Sequence, residues 1–245
     1  MSNNPYQSYD SSMSAYPTFA AQAEESERVG FIRRTYLHLA VAVAAFALIE
    51  TALLTMVPDA MLQNIMGTML ATQWSWLIVL GAFMGVSWLA RSWADSSSSV
   101  GMQYAGLGLY VVGQAVIFLP MMYIANTHYP GAITSAAMVT GVIFFGLTVA
   151  VFLTKTDFSF LRMFLVLGGL GALGFILAAV VFQLPMLGVI FTTFMIVLAC
   201  GYILYDTSNV MLHYRTDQHV AAALALFASV ALLFWYILRL FMSRR

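Results

Sequence analysis

Two acidic side chains stand inside long apolar stretches of this sequence, where carboxylates are unusual. Asp206 lies in the run Gly201–Asn209, at the end of one apolar stretch, and Glu50 lies within an earlier one. All other acids occur in the polar N-terminal segment or in short polar connections. A carboxylate inside a membrane costs about 3 kcal/mol on insertion scales, so it usually marks a functional or a structurally paired group. The chemistry that such residues support is proton binding, ion passage or pairing with a cation.

Arg91 is the predicted partner of Asp206. A helix rises about 1.5 Å per residue, so sequence position can be converted into depth in a membrane. On that scale Asp206 and Arg91 reach the same membrane boundary, whereas Glu50 lies roughly 22 Å from the start of its own stretch, toward the other side. We therefore expect Asp206 and Arg91 to be neighbours, either as a static salt bridge or as a proton-responsive switch.

Glu50 has a different predicted neighbour. Gln114 is expected at a similar depth, about 20 Å from the same boundary, and no basic residue reaches that level. A buried carboxylic acid hydrogen-bonded to the Gln114 amide would have a structural role. We expect this structural role for Glu50 before a functional one.

The composition places these residues in an integral membrane protein. Of the 245 residues, 62% are hydrophobic and only 8% are charged, and the mean hydropathy is +0.87. Soluble domains carry roughly 25% charged residues. Ten basic residues balance ten acidic ones, so no net charge indicates nucleic-acid binding. The lone Cys200 excludes an intrachain disulfide. The four histidines lack the spacing of metal ligands, and no catalytic grouping can be assembled, so neither a metal, a cofactor nor an enzyme activity is predicted.

The apolar runs that could cross a membrane determine the predicted fold. Residues 1–27 are polar and are expected to form a disordered cytoplasmic tail, followed by a membrane domain over residues 28–245. A bilayer core needs about 20 apolar helical residues. On that criterion the sequence predicts an all-α bundle of seven spans, at 35–57, 74–93, 101–125, 131–153, 161–182, 187–209 and 220–242.

The distribution of basic residues predicts the orientation, because cytoplasmic connections carry an excess of Lys and Arg. The side that holds the N terminus carries seven basic residues, namely Arg28, Arg33, Arg34, Arg91, Lys155, Arg162 and Arg215. The opposite side carries Arg239, Arg244 and Arg245. The N terminus is therefore predicted in the cytoplasm. The terminal Arg pair runs against this rule, so a re-entrant last segment with both ends inside stays open as an alternative.

Three segments together resemble the Bax inhibitor-1 family, also called the transmembrane Bax-inhibitor-motif family. They are Phe31–Tyr36 before the first span, Lys155–Leu161 before the fifth, and Tyr202–Asn209 at the end of the sixth. The ending Asp206–Asn209 is most similar to the bacterial YccA-like branch. The resemblance implies a helical bundle with the last span near its centre, in the bacterial inner membrane. It also implies a regulator that contacts the membrane-bound ATP-dependent protease FtsH.

Some members of this family form a pH-sensitive calcium leak, and the resemblance assigns residues to it. Asp206 matches the first acid of that site, and Arg91 matches the arginine that pairs with it. Ser229 stands where the second acid would fall, or Ala228 if the register is shifted by one residue. A single carboxylate is a poor site for calcium, which prefers several oxygen ligands. We therefore rank a regulator above a proton-gated calcium or cation leak, with Glu50 as a weaker candidate for the missing acid.

Overall fold

The computed structural model describes residues 18–96, 99–182 and 188–243, and within these ranges the chain is helical apart from short connections. Its helices are α1 (Glu25–Met56), α2 (Asp59–Met69), α3 (Gln73–Ala94), α4 (Val100–His128), α5 (Ala132–Thr154), α6 (Leu161–Val181), α7 (Val189–Leu212) and α8 (His219–Ser243).

Seven helices of the described part, all but α2, are long and apolar enough to cross a membrane, which confirms the predicted number of spans. The largest differences lie at the ends. Helix α1 begins at Glu25 instead of residue 35, because Glu25 and Glu27 lie in its first turn, where acidic side chains favour a helix start. Helix α7 continues past residue 209 to Leu212, so Asp206 lies more than one turn before its end. Residues 97–98 and 183–187 lie outside the described residues.

The short helix α2 is absent from the sequence prediction, which placed no element between the spans 35–57 and 74–93. Its eleven residues are too few to cross a bilayer. Leu62 and Met66, one turn apart, are buried and hold α2 against the bundle. Asp59 accepts a hydrogen bond from the Tyr123 hydroxyl at 2.7 Å, which ties the start of α2 to α4.

Helix α8 lies at the centre of the bundle, as predicted for the last span. It packs against α1, α3, α4, α5 and α7, and most of its residues are buried. Phe118 of α4 stacks on Phe234 of α8, with ring centroids 5.8 Å apart. The helix is continuous over 25 residues, or about 37 Å, which exceeds the roughly 30 Å of a bilayer core. This geometry favours a full crossing over the re-entrant alternative.

The residues just before α1 are hydrogen-bonded to the connection between α7 and α8. We call residues 18–24 the anchor segment. The backbone amide of Ala20 donates to the carbonyl of Tyr214 at 2.9 Å, and the amide of Thr216 donates to the carbonyl of Thr18 at 3.1 Å. The start of α1 and the α7–α8 connection therefore lie on the same side of the bundle, as six intervening crossings require.

This contact changes the boundary of the predicted tail. A disordered segment was expected over residues 1–27, yet α1 begins at Glu25 and the anchor segment has a hydrogen-bonded position. A side-chain bond extends the contact into α1, because the Thr216 hydroxyl donates to Glu27 Oε1 at 2.6 Å. Residues 1–17 lie outside the described residues.

Helices α3 and α4 approach closely at Gly106. A Cβ atom at this position would lie 2.5 Å from the carbonyl oxygen of Ala90 and 2.7 Å from the amide nitrogen of Ala94. Only glycine allows two helix backbones to approach this closely. One turn further along α4, the ring of Tyr110 lies beneath the guanidinium of Arg91, with 5.6 Å from Cζ to the ring centroid. The glycine contact thus positions Arg91.

Candidate functional site

Asp206 of α7 and Ser229 of α8 meet where the two helices pack together. The Ser229 hydroxyl donates to Asp206 Oδ2 at 2.5 Å. Both residues are buried, with 9% of Asp206 and 5% of Ser229 exposed. A hydrogen bond to a carboxylate in such surroundings is charge-assisted and stronger than one between neutral groups. The structure therefore brings together two of the residues that the sequence analysis singled out.

Arg91 lies near this pair without forming an ion pair with it. Within the described ranges, no nitrogen of Arg91 lies within 4.0 Å of an Asp206 oxygen. The guanidinium instead covers the ring of Tyr110 and remains within electrostatic range of Asp206. The predicted salt bridge is thus replaced by a cation–π contact, and Arg91 affects Asp206 from a distance.

Two residues beside this group were not predicted from the sequence. Asp95 follows α3, and its partial removal from solvent raises its pKa while the nearby Arg91 opposes the shift. Tyr214 follows α7, and burial, with the charge of Asp206 as the next cause, raises the pKa of its hydroxyl. Tyr214 is also the residue whose carbonyl accepts the amide of Ala20. The anchor segment therefore contacts a residue that senses the charge of Asp206.

The α5–α6 connection is hydrogen-bonded to the C-terminal part of α7 at Ser208, two residues beyond Asp206. The Ser208 hydroxyl accepts the backbone amide of Phe158 at 2.9 Å and donates to Asp157 Oδ1 at 3.4 Å. The other oxygen of Asp157 lies 3.6 Å from Nε2 of His213. Two of the three segments that carry the family resemblance are thus in direct contact with each other.

The Asp157 contacts predict a pH dependence of this connection. The backbone amide of Ser159, followed by smaller contributions that include His213 and Ser208, holds the pKa of the Asp157 carboxyl below its usual value. A lowered folded-state pKa stabilises the connection above the unfolded-state pKa of about 3.9, and this stabilisation is lost as the pH falls through the folded-state value. We expect the backbone amides of Phe158 and Ser159 to lose protection from hydrogen exchange, relative to intrinsic rates, as the pH is lowered from about 5 to below the unfolded-state value of about 3.9.

The variant Asp157→Asn is the control for this prediction. Its side chain keeps the size of aspartate but has no carboxyl to protonate, so we expect weaker protection that no longer changes with pH in this range. An equal loss of protection in the variant and the wild type would contradict the assignment to Asp157.

Glu50 makes no hydrogen bond to the Asp206 group, and its expected partner is wrong. The side chain is buried, with 1% exposed. Neither carboxyl oxygen has a hydrogen-bond partner among the described residues, so the predicted bond to Gln114 is not formed. A similar predicted depth was therefore not sufficient to pair the two side chains. Glu50 instead lines a large cavity between α1 and α5.

The sequence profile described as "Inhibitor of apoptosis-promoting Bax1" matches residues 28–245, which is nearly all of the chain. The chain belongs to the Bax inhibitor-1 family. The match begins within α1 and includes every element that forms the Asp206 group.

This Bax inhibitor-1 protein is similar to relatives in both a bacterium and a plant. An uncharacterized protein of Pseudomonas aeruginosa is 28% identical over 228 residues, covering 92% of this chain and 95% of its own length. Protein LIFEGUARD 4 of Arabidopsis thaliana is 28% identical over 232 residues, covering 93% of this chain and 90% of its own length. The likeness to each covers at least nine-tenths of both chains.

Family membership and geometry together define a multi-pass membrane protein with one polar group at the α7–α8 contact. In the described part of the chain, no three His, Cys, Asp or Glu side chains come together as a metal site. Asp206 has one hydroxyl bond, one distant cation and a neighbouring tyrosine. In this arrangement, protonation of Asp206 would change the charge at the contact between α7 and α8.

Proposed function

We propose that this Bax inhibitor-1 protein is a non-enzymatic regulator in the bacterial inner membrane, with its N terminus in the cytoplasm. It would act through contacts with other membrane proteins, and the membrane-bound ATP-dependent protease FtsH is the proposed partner. The similarity of the Asp206–Asn209 ending to the YccA-like branch supports this partner. The observation that favours a regulator is the hydrogen bond from Ser229 to Asp206. The neutral side chain of Ser229 stands at the position of the second acid, so a second carboxylate for calcium is missing.

The anchor segment supports a link between the N-terminal residues and the Asp206 group. Its backbone bonds to Tyr214 and Thr216 place the start of the membrane domain directly beside the α7–α8 connection. Protonation or pairing of Asp206 would alter the charge near Tyr214 and so the surface on which the segment lies. A partner that contacts residues 1–17 would then meet a segment whose attachment depends on the state of this site.

Co-purification tests the proposed partner. We expect the protease to be recovered with the full chain from gently solubilised, cross-linked bacterial membranes and to be lost when residues 2–17 are deleted. This deletion leaves the anchor segment and the first turn of α1 in place. The variant Thr216→Val, which removes the hydroxyl bound to Glu27, is the matched control for the anchor and is expected to weaken recovery without abolishing it. Absence of the protease from the cross-linked full-length sample would reject the partner.

A proton-sensitive calcium or cation leak gated at Asp206 and Arg91 is the second candidate. One observation favours it, since Arg91 lies within electrostatic range of Asp206 but is held over Tyr110 instead of in an ion pair. Because Arg91 forms no ion pair with Asp206, the Asp206 carboxylate is available to a proton or to another cation. Calcium flux that depends on pH and is removed by Asp206→Asn would support the leak and reject the regulator as the main function.

A further inference from the structure

A cavity of about 1010 Å³ lies between α1 and α5, with α8 as its inner wall. Both helices pack on α8, and the rings of Tyr36 and Phe152 meet at one end of the cavity with centroids 5.9 Å apart. Most of the lining is apolar and includes Phe144, Phe227 and Phe234. This volume is at the upper end of the range for small-molecule sites. The cavity is therefore large enough for one lipid-like molecule.

Four polar oxygen atoms at this cavity have no hydrogen-bond partner in the described part of the chain. Two belong to the carboxyl group of Glu50 on α1, the third is the hydroxyl of Thr140 on α5, and the fourth is the hydroxyl of Tyr36, about 21 Å from Glu50 along α1. Glu50 and Thr140 are buried, with 1% and 4% exposed. A buried polar group without a partner costs free energy, and a buried carboxylate costs most. These atoms thus indicate a missing hydrogen-bond donor.

The protein itself supplies no cation to this place. The residues that line the cavity include no lysine, arginine or histidine. The neighbouring threonines on α1 are already satisfied, because the hydroxyls of Thr51 and Thr55 each donate to the carbonyl four residues earlier in their own helix. The Glu50 carboxyl thus has neither a cation nor a hydrogen-bond donor from the described part of the chain, and a ligand with both would complement it.

The three free oxygen atoms of Glu50 and Thr140 indicate which head group of a lipid-like ligand would fit this place. A protonated primary amine has three N–H donors and one positive charge, which match two carboxyl oxygens and a hydroxyl on facing helices. An alcohol has one donor, and a quaternary ammonium has the charge but no donor. The apolar walls suit a hydrocarbon chain, and the exposed side chain of Phe145, 65% accessible, stands at the mouth that faces the bilayer.

We propose that this cavity binds a single-chain lipophilic primary amine, with its ammonium group on Glu50 and Thr140 and its chain along α8. The amine enters laterally from the bilayer between α1 and α5. This site is separate from the Asp206 group, and the proposal does not depend on the regulatory function.

Thermal unfolding of the purified full chain in mild detergent tests the proposal, with dodecylamine as the probe. We expect dodecylamine to raise the unfolding temperature, and dodecanol and dodecyltrimethylammonium to have little effect. The concentration needed for half of the shift is expected to rise about tenfold or more in Glu50→Gln, as loss of a buried ion pair predicts. The carboxyl variant Asp59→Asn, outside the cavity, is the matched control and is expected to keep the shift.

A second variant keeps the test independent of Glu50. A Cβ atom at Gly141, which lines the cavity, would meet nothing within 4 Å. Gly141→Phe is therefore expected to fill the cavity and to remove the dodecylamine shift while leaving the carboxyl group in place. Equal shifts with dodecyltrimethylammonium, or unchanged shifts in both Glu50→Gln and Gly141→Phe, would overturn the proposal.

Discussion

The variant Gly106→Ala is expected to lower the free energy of unfolding by about 3 kcal/mol, near the upper end of the usual effect of overpacking. The added methyl would lie 2.5 Å from the carbonyl oxygen of Ala90 and 2.7 Å from the amide nitrogen of Ala94. Both are helix backbone atoms, so neither can move without shifting α3 as a whole. The same shift would carry Arg91 away from the ring of Tyr110.

The matched control is Gly108→Ala, two residues along the same helix, where a Cβ atom would meet nothing within 4 Å. Alanine has a higher helix propensity than glycine, so this variant is expected to be as stable as the wild type or slightly more stable. Labelling of the single, half-buried Cys200 on heating provides the measurement. Equal unfolding temperatures for the two variants would show that α3 and α4 do not approach closely at Gly106.

Calcium flux into proteoliposomes is expected to stay at the level of protein-free vesicles for the wild type and to rise several-fold for Ser229→Asp. Calcium takes six to eight oxygen ligands and favours carboxylates. In the wild type, one oxygen of Asp206 already accepts the Ser229 hydroxyl, and the nearby charge of Arg91 repels a cation. An aspartate at 229 would place a second carboxylate opposite the first.

Ser229→Asn is the control for that flux, because asparagine has the size of aspartate without its charge. We expect Ser229→Asn to remain at the wild-type level, and we expect Asp206→Asn to remove any flux gained by Ser229→Asp when the two are combined. Wild-type flux that is already high, pH-dependent and removed by Asp206→Asn alone would contradict the ranking of regulator above leak.

The seven spans could be predicted from sequence because a membrane helix is coded locally. An uninterrupted apolar run of the right length is sufficient, and it identifies Asp206 at once as an exception within such a run. The helix α2 escaped this criterion, since eleven residues cannot span a bilayer. Its spacing of Leu62 and Met66 after Pro58 was the available signal.

The pairing of side chains could not be predicted, because position along a helix gives height but not direction. Gln114 was expected at the level of Glu50, yet Glu50 has no hydrogen bond. Arg91 reaches the expected level of Asp206 but lies over Tyr110, a residue on another helix that no charge argument selects. Side-chain directions depend on how each helix is rotated, and that rotation is fixed by tertiary contacts such as the one at Gly106.

The contact between the anchor segment and the α7–α8 connection could not be predicted from the sequence either. Its hydrogen bonds join backbone atoms of Thr18 and Ala20 to residues almost two hundred positions away, and backbone bonds leave no mark on residue type. The same holds for Asp157 and Ser208, which belong to two segments that carry the family resemblance. Motif similarity indicates that both segments matter, and only the structure shows that they touch.

The anchor segment also determines how a mechanical load would enter the molecule. A pull on residues before Thr18 does not act first on α1, because the bonds from Ala20 to Tyr214 and from Thr216 to Thr18 lie ahead of it. These bonds and the Thr216–Glu27 contact would take up the tension and transmit it to the connection that joins α7 to α8. Traction on the N-terminal residues would thus strain the two helices that share the Asp206–Ser229 bond before it unwinds the first span.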